Sequence, residues 1–188
     1  MSGVMTAPRV IRGGGLAALA GGALWVVVFA VYASRPGLPG PEAPHGTFDG
    51  LRILGLVSLL LIALGFLGLD LPSWRGRGHG RLGSVGFDVA GLGMFGIVLS
   101  GASWPYGMVG AWILMVGSLM VGAAALLSRT LPRWGALALL GGSAAFFFFA
   151  TDPARAWFAL PYGAAWVAVG YLLWSGGGSA AEQPSRVR

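Results

Sequence analysis

Long apolar stretches alternate with short polar or proline-bearing segments along the whole chain. A helix needs about 20 mostly apolar residues to cross some 30 Å of hydrocarbon, and in lipid its backbone N–H and C=O groups pair within the helix itself. Six stretches qualify, which predicts an all-α protein, a six-helix transmembrane bundle with short loops. The predicted spans are residues 13–33, 51–70, 82–103, 107–128, 133–150 and 156–175, between tails at 1–12 and 176–188.

Composition also points to a membrane environment. Hydrophobic residues make up 56% of the 188 residues, charged residues make up 10%, and the mean hydropathy is +0.77. A soluble globular chain carries roughly 25% charged residues. The lipid bilayer is therefore the expected surrounding, and the richness in Ala, Gly and Leu suggests a GC-rich bacterial genome and a bacterial inner (plasma) membrane.

The arginines predict how the chain is threaded. All twelve basic residues are arginine, and alternating the six spans divides them nine to three between the two sides of the membrane. The richer side is expected to be cytoplasmic, so both termini are predicted to be inside. The arginines adjoin apolar runs instead of forming a basic patch, which argues against nucleic acid as a partner. The nine are Arg9, Arg12, Arg75, Arg77, Arg81, Arg129, Arg133, Arg186 and Arg188, and the three are Arg35, Arg52 and Arg155.

The first span has two interpretations. Small residues near Tyr32 resemble a signal-peptidase site after a run preceded by Arg9 and Arg12. The apolar run is about 18 residues long, however, and a typical signal core has only 7 to 15. We therefore expect a retained helix.

Residues 86–96, GFDVAGLGMFG, contain the G-x-G-x-x-G spacing of a dinucleotide-binding loop. That loop follows a strand and opens a helix, so that free N–H groups face the pyrophosphate. Here Gly91, Gly93 and Gly96 lie well inside a predicted span, where the N–H groups are committed to the helix. The nucleotide interpretation fails.

Small residues in lipid favour close helix packing instead, because helices there gain little from burying one apolar side chain against another. The chain has 34 glycines, many of them spaced four residues from another small residue. This pattern predicts a tightly packed bundle, with a homo-oligomer or a membrane-protein partner as further consequences. The predicted packing positions include Gly93, Gly101, Gly122 and Gly142.

Asp88 is the most informative polar residue. It lies seven residues beyond Arg81, about 10 Å deeper along the helix. An isolated carboxylate at that depth is costly and should be protonated or paired. Candidate charge partners are Arg81, Arg77 and Arg75, and Asp70 is a candidate to share the same pocket.

Two interpretations of Asp88 stay open. In one, the residue binds a proton or cation near a cytoplasmic vestibule. In the other, an arginine pairs with it and fixes the second and third helices, which its shallow depth favours. Trp25, Trp112 and Trp166, with the phenylalanines at 146–149, are either lining residues of an apolar pocket or simply core and lipid-facing bulk.

The sequence lacks the combinations of residues that several common catalytic and cofactor sites require. Without cysteine there is no thiolate or Cys-based metal site, and without lysine there is no retinal Schiff base. Neither histidine is within a span, which excludes a bis-histidine haem. Gly101-Ala102-Ser103 is similar to the G-x-S motif of rhomboid proteases, but Trp104 replaces a small residue of that motif. We expect no cofactor, no metal and no catalytic activity.

Two segments, RGRGHGRLGSVGF before the third span and TLPRWGALALLGG before the fifth, join arginine-rich loops directly to Gly/Leu-rich helices. In this the chain resembles a loose group of small multi-pass membrane proteins from high-GC, actinobacterial-type bacteria. The group has no known activity, so the resemblance implies a membrane bundle and no particular function.

These observations favour a non-catalytic accessory or binding protein that works through helix or lipid contacts. The alternative is a small secondary transporter or permease, proton-coupled through Asp88 and Asp70. An inverted three-plus-three repeat would support transport, but the two halves of the chain show no convincing similarity.

The threading predicts that both termini lie in the cytoplasm, where fused green fluorescent protein is fluorescent and fused alkaline phosphatase is inactive. An even number of spans puts the two termini on the same side of the membrane, and the arginine distribution makes that side the cytoplasm. Paired alkaline phosphatase and green fluorescent protein fusions measure it, with a fusion after Arg35 as the external control. Termini on opposite sides of the membrane would contradict the count of six.

Overall fold

The computed structural model describes residues 6–34, 49–70, 80–99, 106–151 and 153–176, and these are helical except at 129–132. The prediction of an all-α protein with six helices is confirmed. The helices are α1 (Thr6–Ser34), α2 (Asp49–Asp70), α3 (Gly80–Leu99), α4 (Tyr106–Ser128), α5 (Arg133–Thr151) and α6 (Leu160–Gly176), with a 3-10 helix (Pro153–Ala159) before α6.

Five stretches are long and apolar enough to cross a membrane, so the chain is a multi-pass membrane protein. In α5 the corresponding apolar stretch, Arg133–Phe148, is shorter. At 1.5 Å per residue the whole of α5 is about 28 Å long, close to the thickness of the hydrocarbon layer. The sixth crossing and the inside position of both termini stay predictions. The five stretches are Arg9–Ser34, Gly50–Leu69, Arg81–Leu99, Gly107–Ser128 and Ala156–Ser175.

The helices are arranged so that α1 packs between α2 and α6, and α5 packs between α6 and α4. Helix α3 packs extensively against α4 but only slightly against α2. Phe66 of α2 and Phe87 of α3 meet edge to face, with ring centroids 6.3 Å apart. Helix α3 is therefore held in the bundle mainly by α4.

Local sequence explains three of the helix boundaries. Helix α4 ends where Arg129 takes a left-handed conformation, φ 55°, which is the usual way for a helix to terminate. Pro132 precedes α5, and its carbonyl oxygen accepts from the N–H groups of Gly135 and Ala136. The break between the 3-10 helix and α6 falls beside Pro161, which has no N–H to continue an α-helical hydrogen-bond ladder.

Helix contacts are made at glycine, where backbones approach closely. A Cβ atom on Gly93 would lie 2.7 Å from the Gly110 carbonyl oxygen of α4, and one on Gly142 would lie 2.7 Å from the carbonyl oxygen of Pro161 in α6. A Cβ atom on Gly122 would lie 3.0 Å from Leu140 Cγ of α5. These three positions face neighbours within the same molecule, and Gly101 lies outside the described residues.

Gly91 and Gly93 provide a matched pair of substitutions. Gly93→Ala should lower the free energy of unfolding by about 1–3 kcal/mol, because the added methyl group forces α3 away from α4. Gly91→Ala should not lower it, because its Cβ would meet nothing within 4 Å and alanine favours a helix more than glycine does. Reversible unfolding in mixed micelles, followed by far-UV circular dichroism, measures both. Equal effects at the two positions would contradict the α3–α4 contact.

Candidate functional site

The packing of α3 against α4 determines the direction of Asp88. Gly86, Ala90 and Gly93 of α3 approach Gly117 and Leu114 of α4. Successive residues of an α-helix are rotated by about 100°, so Asp88 lies roughly opposite the center of that contact face. The structure accordingly leaves Asp88 exposed. Its side chain points away from the bundle.

The surface around Asp88, here called the α3 outer face, is almost entirely apolar. Its members are Ser84, Val85, Asp88, Gly91, Leu92, Phe95 and Leu99. The large side chains are strongly exposed, with Leu92 at 61% and Phe95 at 60%. This face lies within the membrane-spanning stretch Arg81–Leu99, so the surrounding it meets is lipid or another membrane segment.

The predicted partners of Asp88 are not brought to it within the described part of the chain. Arg81 is exposed at the start of α3, and no ion pair joins it to Asp88. Asp70 ends α2. Arg75 and Arg77 lie outside the described residues, so their proposed pairing with Asp88 stays a prediction.

The interior of the bundle is filled by aromatic rings from four helices. Phe146 stacks on Tyr162 with centroids 5.0 Å apart, and Trp25 meets Tyr162 edge to face at 5.6 Å. Phe66 and Trp166 lie 4.3 Å apart, also edge to face. All five side chains are buried. This arrangement is a packed aromatic core.

Most polar groups in this core satisfy one another or the backbone. The Trp25 indole N–H donates to the Ala159 carbonyl oxygen over 2.9 Å. Ser118 Oγ donates to the Leu114 carbonyl oxygen over 2.8 Å and lies 3.3 Å from Tyr162 Oη, which is then the donor in that contact. Trp166 Nε1 faces Tyr162 closely enough to interact with it but makes no hydrogen bond of ordinary geometry.

The three mid-span tryptophans do not share one environment. Trp25 and Trp166 lie in the aromatic core, and Trp112 is 42% exposed beside Phe147 on the surface. Sequence reasoning missed Tyr162 and treated Ser118 only as a small packing residue, without its hydrogen-bonding role. The signal was present, because a phenol well inside an apolar span needs a hydrogen-bond partner.

Comparison with known proteins gives no relative: no family model, no curated protein and no solved structure matches the chain. The resemblance to small multi-pass proteins of high-GC bacteria therefore stays a prediction. Within the described ranges no three His, Cys, Asp or Glu residues come together as a metal site would require. What is established is a helical multi-pass membrane protein in contact with lipid.

Trp25→Phe should lower the free energy of unfolding by about 2 kcal/mol, because it removes the indole N–H that donates to the Ala159 carbonyl and shrinks the aromatic core. Trp134→Phe is the matched control, since Trp134 is 53% exposed and its loss should cost less than about 0.5 kcal/mol. Unfolding in mixed micelles monitored by circular dichroism compares them. Indistinguishable variants would argue against the Trp25–Ala159 hydrogen bond.

Proposed function

We propose that the protein is a non-catalytic binding or accessory protein of a bacterial inner membrane, which acts by contacting another membrane component through its outer helix faces. The observation that carries the proposal is the position of Asp88, a carboxylate exposed within the membrane-spanning stretch of α3. A polar group facing hydrocarbon is costly unless something pairs with it.

The filled interior supports the same proposal. Trp25, Phe146, Tyr162 and Trp166 occupy the middle of the bundle, and Ser118 and Ser143 direct their hydroxyl groups to backbone carbonyls of their own helices. An internal binding site needs a cavity with convergent polar groups. The hydroxyl groups of Ser118 and Ser143 are instead already hydrogen-bonded within the molecule, which leaves the outer surface for recognition.

Proton-coupled transport is the alternative use of Asp88. A transporter carries its coupling residues near the middle of the membrane at the interface between its moving halves. Asp88 lies on the opposite side of α3 from α4, away from the aromatic core. This direction gives more support to a contact role than to a role along an internal path.

A photoreactive amino acid placed at Leu92 should form a discrete adduct with another protein in native membranes, because Leu92 is one turn from Asp88 on the same exposed face. Leu64 of α2 and Leu137 of α5, 49% and 55% exposed, are matched positions on other faces. Gel shifts and mass spectrometry identify the adducts.

Lipid adducts alone at all three positions would contradict a protein-binding role. Proton uptake by proteoliposomes that is abolished in Asp88→Asn would instead establish the transport alternative.

A further inference from the structure

The α3 outer face carries two hydrogen-bond acceptors, Ser84 and Asp88, and a glycine that leaves space for a neighbouring helix. Ser84 lies one turn before Asp88 on the same exposed side of the helix. Its hydroxyl donates to the Arg81 carbonyl oxygen over 3.1 Å, which leaves the lone pairs of Ser84 Oγ available as acceptors. Gly91, one turn after Asp88, has open space where a side chain would be. The patch therefore presents negative and acceptor groups beside a smooth backbone surface.

Asp88 has no means of its own to reach water. Lysine and arginine extend their charged ends to the membrane interface on long apolar stems, but aspartate has a single methylene group. Seven residues separate it from Arg81 at the start of the spanning stretch, about 10 Å along the helix axis. Whatever pairs with Asp88 must come to it within the membrane.

A two-fold contact with a second copy of the chain does not supply that partner from the described residues. A two-fold contact through this face would set Asp88 against its own equivalent, which juxtaposes like charges. The basic side chains that the structure describes all lie near helix ends: Arg9, Arg12, Arg52, Arg81, Arg129 and Arg133. None is at the depth of Asp88 on the helix that carries it.

We infer that the α3 outer face binds a transmembrane helix of a different protein that carries a lysine or arginine at the depth of Asp88. The partner's cation is held by the Asp88 carboxylate and the Ser84 hydroxyl, and its backbone passes over Gly91. This inference rests on the proposed binding function and specifies its partner. Close approach at small residues favours helix association in lipid, and charged side chains within the membrane pair with one another.

A synthetic helix tests the inference without the natural partner. The probe is a single-span peptide of about 20 Leu and Ala residues, carrying either one Lys or a Leu at the seventh residue from the cytoplasmic end of its span. The chain has no cysteine, so Leu127→Cys, at a 77% exposed position, gives a unique site for a donor dye. Energy transfer to labelled peptide in phosphatidylcholine vesicles then measures association with the full-length protein.

We expect the Lys peptide to bind the otherwise unaltered protein about tenfold more tightly than the Leu peptide. Asp88→Leu should remove that difference, and Ser84→Ala should reduce it. The charge-reversed pair, Asp88→Lys with a Glu peptide, should restore it. Gly91→Leu should weaken binding while leaving the unfolding transition unchanged, which separates loss of the contact from loss of the fold.

A transplanted acid is the matched control. The double variant Asp88→Leu with Leu64→Asp places a carboxylate at an exposed position of α2, six residues from the end of that helix at Asp70. It should not regain the tenfold preference, because α2 lacks the Ser84 and Gly91 surroundings. Full recovery would show that any lipid-facing acid suffices and would overturn the assignment of the α3 outer face.

Equal binding of the Lys and Leu peptides would also overturn the inference. Energy transfer between two labelled copies of the protein would also overturn it if Asp88→Leu abolished that transfer. A second copy would then cover the α3 outer face. If either of these results were accompanied by protein adducts at Leu92 in native membranes, the proposed binding function would still hold. Only the inferred partner, a helix that carries a lysine or arginine, would be excluded. Absence of protein adducts at all three labelled positions, Leu92, Leu64 and Leu137, would remove the proposed function itself.

Discussion

The structure depends on one constraint: backbone N–H and C=O groups inside a hydrocarbon layer have no water to bind. Each apolar stretch is therefore a helix that satisfies its own backbone. Once formed, these helices gain little from burying apolar side chains against one another, since lipid is equally apolar. Close contact through small residues holds the helices together instead. The backbones nearly touch where Gly93 meets Gly110 and where Gly22 meets Gly163.

The same constraint governs side chains in the interior. Ser58 of α2 donates to the Gly21 carbonyl oxygen of α1 over 2.7 Å, and Trp25 of α1 donates to Ala159 beside α6. These bonds link one helix to another element, and each supplies a partner that neither lipid nor an apolar neighbour provides. Ser58 and Trp25 thus act as cross-links between helices, whereas Asp88 on the outer surface links nothing within the described molecule.

The all-α fold and the number of helices were predictable, because the lengths of the apolar stretches can be read directly from the sequence. The face that each residue occupies was not. In a soluble protein the polar face of a helix marks its outside, but here both the interior and the lipid-facing surface are apolar, so the pattern carries little directional information. Gly91 and Gly93 look alike in the sequence, and only the pairing of α3 with α4 shows that one is open and the other packed. The exposure of Asp88 follows from that pairing and was beyond prediction for the same reason.

The attachment of α3 explains why an acid is tolerated where it lies. Because α4 holds α3 through Gly86, Ala90 and Gly93, the opposite side of α3 contributes little to the fold, and a polar residue there leaves the core undisturbed. Its cost arises only from the surrounding lipid, and a partner that supplies a cation removes that cost. Nearly all of the described buried polar groups have a hydrogen-bond partner, but the Asp88 carboxylate faces the membrane without one. Function is expected at such exceptions.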